Sequence, residues 1–226
     1  MLYTNQAWPH RQAIMTEVFL TYFRDRPIVG LEAGVWFGEG STVIWGMNCA
    51  PGSTLLLVDS WTPYSSLKDL SKSADTALMD AHVTEAFISS FINIRKIERM
   101  RASQNIRLNM IRAKAAEFMA MLPPDSLDFI FIDGDHKYEA VKGDLIEARR
   151  LINKRYGVIC GDDLELFPTD DLYQLAINHK DEDFIHTDGG EGFHPGVLAA
   201  VFETFDLDMI YMKNGFWWAT FGISKG

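Results

Sequence analysis

The sequence has 226 residues, of which 47% are hydrophobic and 23% charged, so we expect one globular domain over residues 1–226. Its 31 acidic and 21 basic residues give a formal charge of −10, which argues against a nucleic-acid partner because such binding needs a basic face. Residues 1–11 are polar, no apolar run approaches 18 residues, and two cysteines lack metal-ligand spacing. We therefore expect a cytoplasmic protein with no membrane association.

The amino-terminal residues predict a helix, a strand and a glycine-rich turn. Apolar side chains at a helical period favour a helix over residues 10–24, and residues 27–32 favour a buried strand. The strand runs into Gly34 and Gly38, and a second helix follows to about residue 47. Glycines let a ligand approach the backbone, so the turn and the following helix terminus suit a nucleotide-like ligand.

A second buried strand over residues 54–58 ends at Asp59, which is well placed to accept hydrogen bonds from both ribose hydroxyls of such a ligand. Residues 60–74 are polar and aromatic and predict a loop over the site. The next predicted elements are a helix beginning at residue 75 and extending to 91 or about 102, a strand over 106–111 and a helix over 115–121.

Two apolar runs in the centre of the chain each stop at acidic residues. Residues 128–132 precede Asp133 and Asp135, and residues 156–160 precede the pair Asp162 and Asp163. Because the segment between the runs has a helical period, the two strands are expected to be parallel and both acidic groups to lie at the carboxyl edge of the sheet. Ligands bind at that edge in open α/β sheets, and a hard divalent cation would relieve the repulsion among the carboxylates.

The carboxy-terminal part predicts helices over residues 170–178 and 195–205. Gly189, Gly190 and Gly192 indicate a mobile segment, and we expect residues 164–191 to act with residues 60–74 as a lid. Asn214 and Gly215 are typical of a tight turn between strands over residues 208–212 and 216–223, which predicts a terminal hairpin.

The glycine spacing does not match that of dinucleotide-binding enzymes, which disfavours a dehydrogenase or a nucleotide-sugar enzyme. The chain resembles class I S-adenosylmethionine-dependent methyltransferases, and among them the metal-dependent O-methyltransferases that act on small molecules such as antibiotic sugars. The residues that carry this resemblance are LEAGVWFGEGST (31–42), LLLVDSW (55–61), FIDGDHKYEAVKGDL (131–145), GVICGDD (157–163) and HPGVLAAVFETF (194–205). The resemblance implies an α/β Rossmann-like fold, with a seven-stranded, mostly parallel sheet and a terminal antiparallel hairpin.

The resemblance also implies roles for individual residues. The residues expected to contact S-adenosylmethionine are Glu32, Gly34, Gly38, Ser41, Asp59 and Asp133. Asp133, Asp162 and Asp163 match the metal ligands, and this all-oxygen set suits Mg²⁺ or another hard divalent cation. The implied reaction is methyl transfer to a hydroxyl of a small molecule, and the expected acceptor is a sugar of a natural product or surface glycan.

Methyl transfer to an alcohol needs a group that removes the hydroxyl proton, and either His136 or Asp135 could serve as this base. His10 and His194 are further candidates at the rim, and aromatic side chains are expected to line the acceptor pocket: Trp36, Phe37, Trp61 and Tyr64. Two alternatives stay open: a non-catalytic S-adenosylmethionine-binding module, and an enzyme acting on a phenol or catechol. The aromatic content is also compatible with a homo-oligomer.

Overall fold

The computed structural model describes residues 9–62 and 76–222. Within these ranges the α-helices are α1 (Pro9–Phe23), α2 (Ser41–Asn48), α3 (Thr76–Met100), α4 (Ala115–Met119), α5 (Tyr138–Leu151), α6 (Asp170–Asn178) and α7 (Pro195–Thr204). The strands are β1 (Val29–Ala33), β2 (Thr54–Asp59), β3 (Arg107–Arg112), β4 (Phe129–Ile132), β5 (Val158–Leu164), β6 (Ile185–His186), β7 (Gly192–Phe193), β8 (Ile210–Lys213) and β9 (Gly215–Thr220). None of these helices is both long and apolar enough to cross a membrane.

Seven strands form one sheet in the order β3-β2-β1-β4-β5-β9-β8. Strands β1 to β5 pair in parallel, whereas β9 is antiparallel to both of its neighbours, β5 and β8. The predicted sheet and its terminal hairpin are therefore confirmed. The order reverses direction between β1 and β4, and α/β proteins bind ligands outside the carboxyl ends of the strands at such a reversal.

The central strand β4 shows why the core has two layers. Phe129 and Phe131 face one side of the sheet, where they join a cluster with residues of α1, α2 and α3. Ile130 and Ile132 face the other side and pack with residues of α5 and α7. All four side chains are buried, as expected for a parallel strand covered by helices on both faces.

Strand β5 is longer than predicted. The sequence places its end at residue 160, before the acidic pair, but the strand continues through Asp162 and Asp163 to Leu164. The reason is its pairing with β9, which extends to Leu164 opposite Gly215 across an irregularity that begins after Gly161. Asp163 adopts a left-handed backbone conformation with φ of 63°. The backbone of β5 therefore changes direction at the acidic pair.

The glycine-rich segment predicted to be mobile contains a short second sheet. Strands β6 and β7 pair in antiparallel fashion, and Gly190 supplies a positive φ of 85° in the turn between them. We call residues 183–193 the β6–β7 hairpin. Most of the other predicted lid segment, residues 60–74, lies outside the described residues, and the lid itself stays a prediction.

Candidate active site

The turn after β1 is built around a glycine that no other residue could replace. Gly34 has a φ of +96°, and its N–H donates a hydrogen bond of 2.9 Å to the carbonyl oxygen of Val58 in β2. A Cβ atom at this position would lie 1.9 Å from the backbone oxygen of Asp133. The turn after β1 therefore lies directly against the residue that follows β4.

Glu32 places a buried carboxyl group beneath this turn. Its side chain is 1% exposed, and the hydroxyl of Ser41, at the start of α2, donates a hydrogen bond to Oε1. Burial raises the pKa of Glu32 to about 8, against the effect of the bond from Ser41. The second oxygen, Oε2, has no hydrogen-bond partner among the described residues, so it is available to a polar group of a ligand.

Asp59, the predicted ribose ligand, holds the glycine-rich turn in place. Its Oδ2 accepts hydrogen bonds from the backbone N–H groups of Val35 at 3.0 Å and Trp36 at 2.8 Å. Its Oδ1 accepts a third bond, of 2.7 Å, from the N–H of Trp61. Since a carboxylate has about four acceptor sites, Asp59 keeps capacity for a ligand while shaping the turn.

The acidic pair of β5 is bound by an arginine from the first helix. Nη1 of Arg11 lies 2.7 Å from Oδ1 of Asp162 and 3.3 Å from Oδ1 of Asp163. Burial and the charge of Asp163 raise the pKa of Asp162 to about 6, although Arg11 opposes the shift. Arg11 also donates from Nε to the carbonyl oxygen of Asn214, at 2.8 Å, in the turn between β8 and β9.

His136, which follows β4, has a carboxylate at each ring nitrogen. Nε2 lies 3.1 Å from Oδ2 of Asp163, and Nδ1 lies 2.9 Å from Oδ1 of Asp183. Burial acts to lower the pKa of the imidazole, but the hydrogen bonds to Asp163 and Asp183 outweigh it and raise the pKa to about 11. In this arrangement the ring is an imidazolium with both N–H groups donated, so neither nitrogen is ready to accept a proton.

His194, at the start of α7, stands beside His136. The ring centroids are 4.3 Å apart, and Nδ1 of His194 lies 3.0 Å from Oε1 of Glu165. The backbone N–H of His194 donates to the other oxygen of Glu165, at 3.2 Å. His136, Asp163 and His194 each offer a ligand atom, and these atoms all lie within 4.8 Å of one another.

The predicted metal set and the observed cluster share only one residue. Among the described residues, the group whose ligand atoms approach closely contains Asp163 but neither Asp133 nor Asp162. Asp162 is engaged by Arg11. Burial, together with the charges of Asp163 and Asp162, raises the pKa of Asp133 well above its usual range.

Other predicted site residues have local roles. Asp135 accepts a hydrogen bond of 2.9 Å from the N–H of Lys137 and so forms a turn before α5. Trp61 and Phe37 are buried at 1% and 5% exposure, so they belong to the core and do not line a pocket as predicted. His10 is exposed on the first turn of α1, Trp36 is half-buried, and Tyr64 lies outside the described residues.

The family of the chain follows from its sequence match. A model described as a methyltransferase domain matches residues 31–164, which is more than half of the chain and includes the turn after β1 and both acidic strand ends. The chain belongs to this methyltransferase family. With the class I sheet described above, it is an S-adenosylmethionine-dependent methyltransferase.

Solved structures of methyltransferases have a similar fold. An O-methyltransferase from Bacillus cereus, solved with S-adenosylhomocysteine, aligns with a TM-score of 0.53 at 15% identity over 97% of this chain and 84% of its own. A methyltransferase from Geobacter sulfurreducens aligns with a TM-score of 0.49 at 10% identity over 95% of this chain and 79% of its own. The TDP-rhamnose 3'-O-methyltransferase of calicheamicin biosynthesis aligns with a TM-score of 0.49 at 16% identity over 96% of this chain and 82% of its own. No curated protein matches the sequence.

Three residues of this methyltransferase site were not identified from the sequence. Each of them contacts a partner far away along the chain. Arg11 is 152 positions from Asp163, Glu165 is 29 positions from His194, and Asp183 is 47 positions from His136. No local pattern marks such residues. His194, one of the candidates predicted at the rim, does lie in the cluster.

Proposed function

We propose that this methyltransferase transfers the methyl group of S-adenosylmethionine to a hydroxyl oxygen of a small molecule, with a sugar or polyol as the leading acceptor class. The observation that carries the proposal is the contact between Gly34 and the backbone of Asp133, because it joins two half-sites. One contains the glycine-rich turn with Glu32 and Asp59. The other contains the carboxylate and histidine cluster at the ends of β4 and β5.

The first half-site supplies the groups expected for the cofactor. The unpaired Oε2 of buried Glu32 can accept a hydrogen bond from the amino group of the methionine portion. The remaining acceptor site of Asp59 can take a ribose hydroxyl. Gly34 and Gly38, with φ of +96° and +66°, keep the turn free of side chains where the cofactor would approach the backbone.

The second half-site would position the acceptor hydroxyl and take its proton. Asp135 and His136 remain the two proposed bases, and the geometry sets a condition for each. His136 can accept a proton only after Asp163 or Asp183 withdraws and the ring has lost one N–H proton. Asp135 keeps one carboxylate oxygen that makes no hydrogen bond to Lys137, so it can accept a proton without rearrangement of the histidine cluster.

The three-aspartate Mg²⁺ site does not fit the present arrangement. Nη1 of Arg11 already supplies a positive charge to Asp162 at 2.7 Å and to Asp163 at 3.3 Å, so it occupies the place where a cation shared by these carboxylates would lie. We therefore assign no step of the reaction to Mg²⁺. Mg²⁺ dependence remains the expectation from the resemblance and is tested together with the acceptor.

The decisive experiment combines the purified chain, S-adenosylmethionine labelled in its methyl group, and matched pairs of acceptors, each assayed with added Mg²⁺ and with a chelator. Each pair contains a sugar nucleotide, glycoside, polyol or catechol and its deoxy or already methylated analogue. We expect label only in acceptors with the free hydroxyl, with mass spectrometry showing the addition of one methyl group. Labelling of catechols but of no sugar or polyol would refute the sugar acceptor and indicate a phenolic one.

A further inference from the structure

Three side chains from separate parts of the chain form one cluster: His136, Asp163 and His194. His136 follows β4, Asp163 lies within β5, and His194 precedes α7. The geometry points to a site for one first-row transition metal ion, such as Mn²⁺, Fe²⁺, Co²⁺ or Zn²⁺, held by these three side chains. This set differs from the three aspartates implied by the resemblance, since it contains two imidazoles.

The orientation of both imidazoles suits metal ligands. Asp183 faces Nδ1 of His136 at 2.9 Å, and Glu165 faces Nδ1 of His194 at 3.0 Å. A histidine that binds a metal through one ring nitrogen usually donates the N–H of the other to a carboxylate or carbonyl, which fixes the ring. Because a carboxylate faces Nδ1 of each ring, Nε2 is the nitrogen left to bind a metal on both histidines.

The spacing of one pair of ligand atoms already suits a bound metal, and the ligand atom of His194 lies within 4.8 Å of both. Two ligands at right angles, each about 2.1 Å from a metal, are about 3.0 Å apart. Nε2 of His136 and Oδ2 of Asp163 are 3.1 Å apart. Arg11 contacts the other oxygen of Asp163, at 3.3 Å, and therefore compensates its charge without taking the oxygen that would bind the ion.

The ligand types select among ions. Imidazole nitrogen suits Mn²⁺, Fe²⁺, Co²⁺ and Zn²⁺, whereas Mg²⁺ prefers oxygen ligands and retains its water. Two histidines and one carboxylate also leave coordination positions open for a further oxygen ligand. The use of these positions by the acceptor hydroxyl rests on the proposed function, and with His136 as a ligand the proton would pass to Asp135.

The test is a metal titration of the full chain without a polyhistidine tag, after treatment with a chelator and dialysis. Binding of Co²⁺ is followed by its visible absorption and by calorimetry, with Mg²⁺ titrated in parallel. We expect Co²⁺ to bind at least about 100-fold more tightly than Mg²⁺. Replacement of either histidine, His136→Ala or His194→Ala, should weaken Co²⁺ binding by at least about 10–100-fold.

Two further variants discriminate between the ligand sets. Asp133→Asn should retain Co²⁺ binding, because Asp133 lies outside the histidine cluster. Glu165→Gln keeps the ring of His194 but weakens its support, so it should lower Co²⁺ affinity by about 10-fold or more and provides a milder variant if His194→Ala does not fold. Circular dichroism and calorimetry with S-adenosylhomocysteine on the same samples report folding and the cofactor site.

Either of two results would overturn the inference. One is folded wild-type protein that gives no Co²⁺ spectrum, which would make the cluster a network of ion pairs. The other is loss of metal binding in Asp133→Asn with retention in both histidine variants, which would restore the three-aspartate site. If these samples still bind S-adenosylhomocysteine, the proposed function is unaffected by the failure of the metal site. If they bind no S-adenosylhomocysteine, that result contradicts the proposed function and not the metal site.

Discussion

Arg11 in the first helix and Asp162 in the fifth strand form an ion pair, with Nη1 2.7 Å from Oδ1. Both side chains are largely buried, at 16% and 8% exposure, so the pair differs from an ordinary surface contact. The guanidinium compensates an acidic pair that would otherwise repel itself at the carboxyl edge of the sheet.

Removing this guanidinium should be costly. Arg11→Met leaves two adjacent carboxylates without their cation, and we expect a loss of about 3 kcal/mol in the free energy of unfolding, measured by urea denaturation. Arg95→Met is the matched control, because Arg95 pairs with Glu98 on the exposed face of α3 and should cost less than about 1 kcal/mol. Equal losses in the two variants would show that the buried pair has no special role.

Asp59 should be needed for cofactor binding. Asp59→Ala removes the predicted ribose contact and releases the turn after β1, so the affinity for S-adenosylhomocysteine should fall by about 1.5–3 kcal/mol in calorimetry. Asp128→Ala is the control, since Asp128 also accepts a backbone N–H, from Val29 at 2.9 Å, but at the opposite edge of the sheet. An unchanged affinity in Asp59→Ala would remove Asp59 from the cofactor site.

Gly34 should tolerate no side chain. In Gly34→Ala the new Cβ would overlap the backbone oxygen of Asp133, and the residue would keep a strained positive φ, so we expect a loss of more than about 3 kcal/mol in unfolding free energy. In the control Gly143→Ala, within α5, the new Cβ would lie 3.8 Å from Cβ of Ala116, an ordinary contact. That variant should gain about 0.4–1 kcal/mol, and the reverse order of stabilities would contradict the described turn.

The stability of the protein should depend on the titration of Asp144. Its side chain is buried in α5, and burial raises its pKa to about 7, against a hydrogen bond from the backbone of Ala116. Between about pH 4 and pH 7 the folded protein therefore holds a proton that the unfolded chain has released. The unfolding free energy consequently falls as the pH rises through this window, by at most about 1.4 kcal/mol per pH unit.

Asp144→Asn should remove this component of the pH dependence, because the amide keeps the shape of the side chain but does not titrate. Urea denaturation across the window measures the difference in slope between the variant and the wild type. Asp181→Asn, at an exposed position, is the control and should leave the slope unchanged. A wild-type slope that persists in Asp144→Asn would assign the pH dependence to other groups.

The sequence was sufficient to predict the sheet and the edge that carries the site, because these depend on local patterns. The apolar runs of β2 and β4 are continuous, and Asn214 with Gly215 specifies the last hairpin. The arrangement of the acids could not be predicted in the same way. Asp163 adopts its left-handed backbone in the irregular part of β5 opposite β9, which is distant in sequence, and the histidines are oriented by Glu165 and Asp183 across loops.

The pairing of β5 with β9 has a consequence for the order in which the protein is made. Asp162 and Asp163 leave the ribosome well before Gly215, the residue that pairs with Leu164 at the end of β5. Until that strand arrives, β5 is an unprotected edge that bears two adjacent negative charges, which disfavour association with the same edge of another nascent chain. On this general ground, we expect the two carboxylates to oppose edge-to-edge association until β9 is in place.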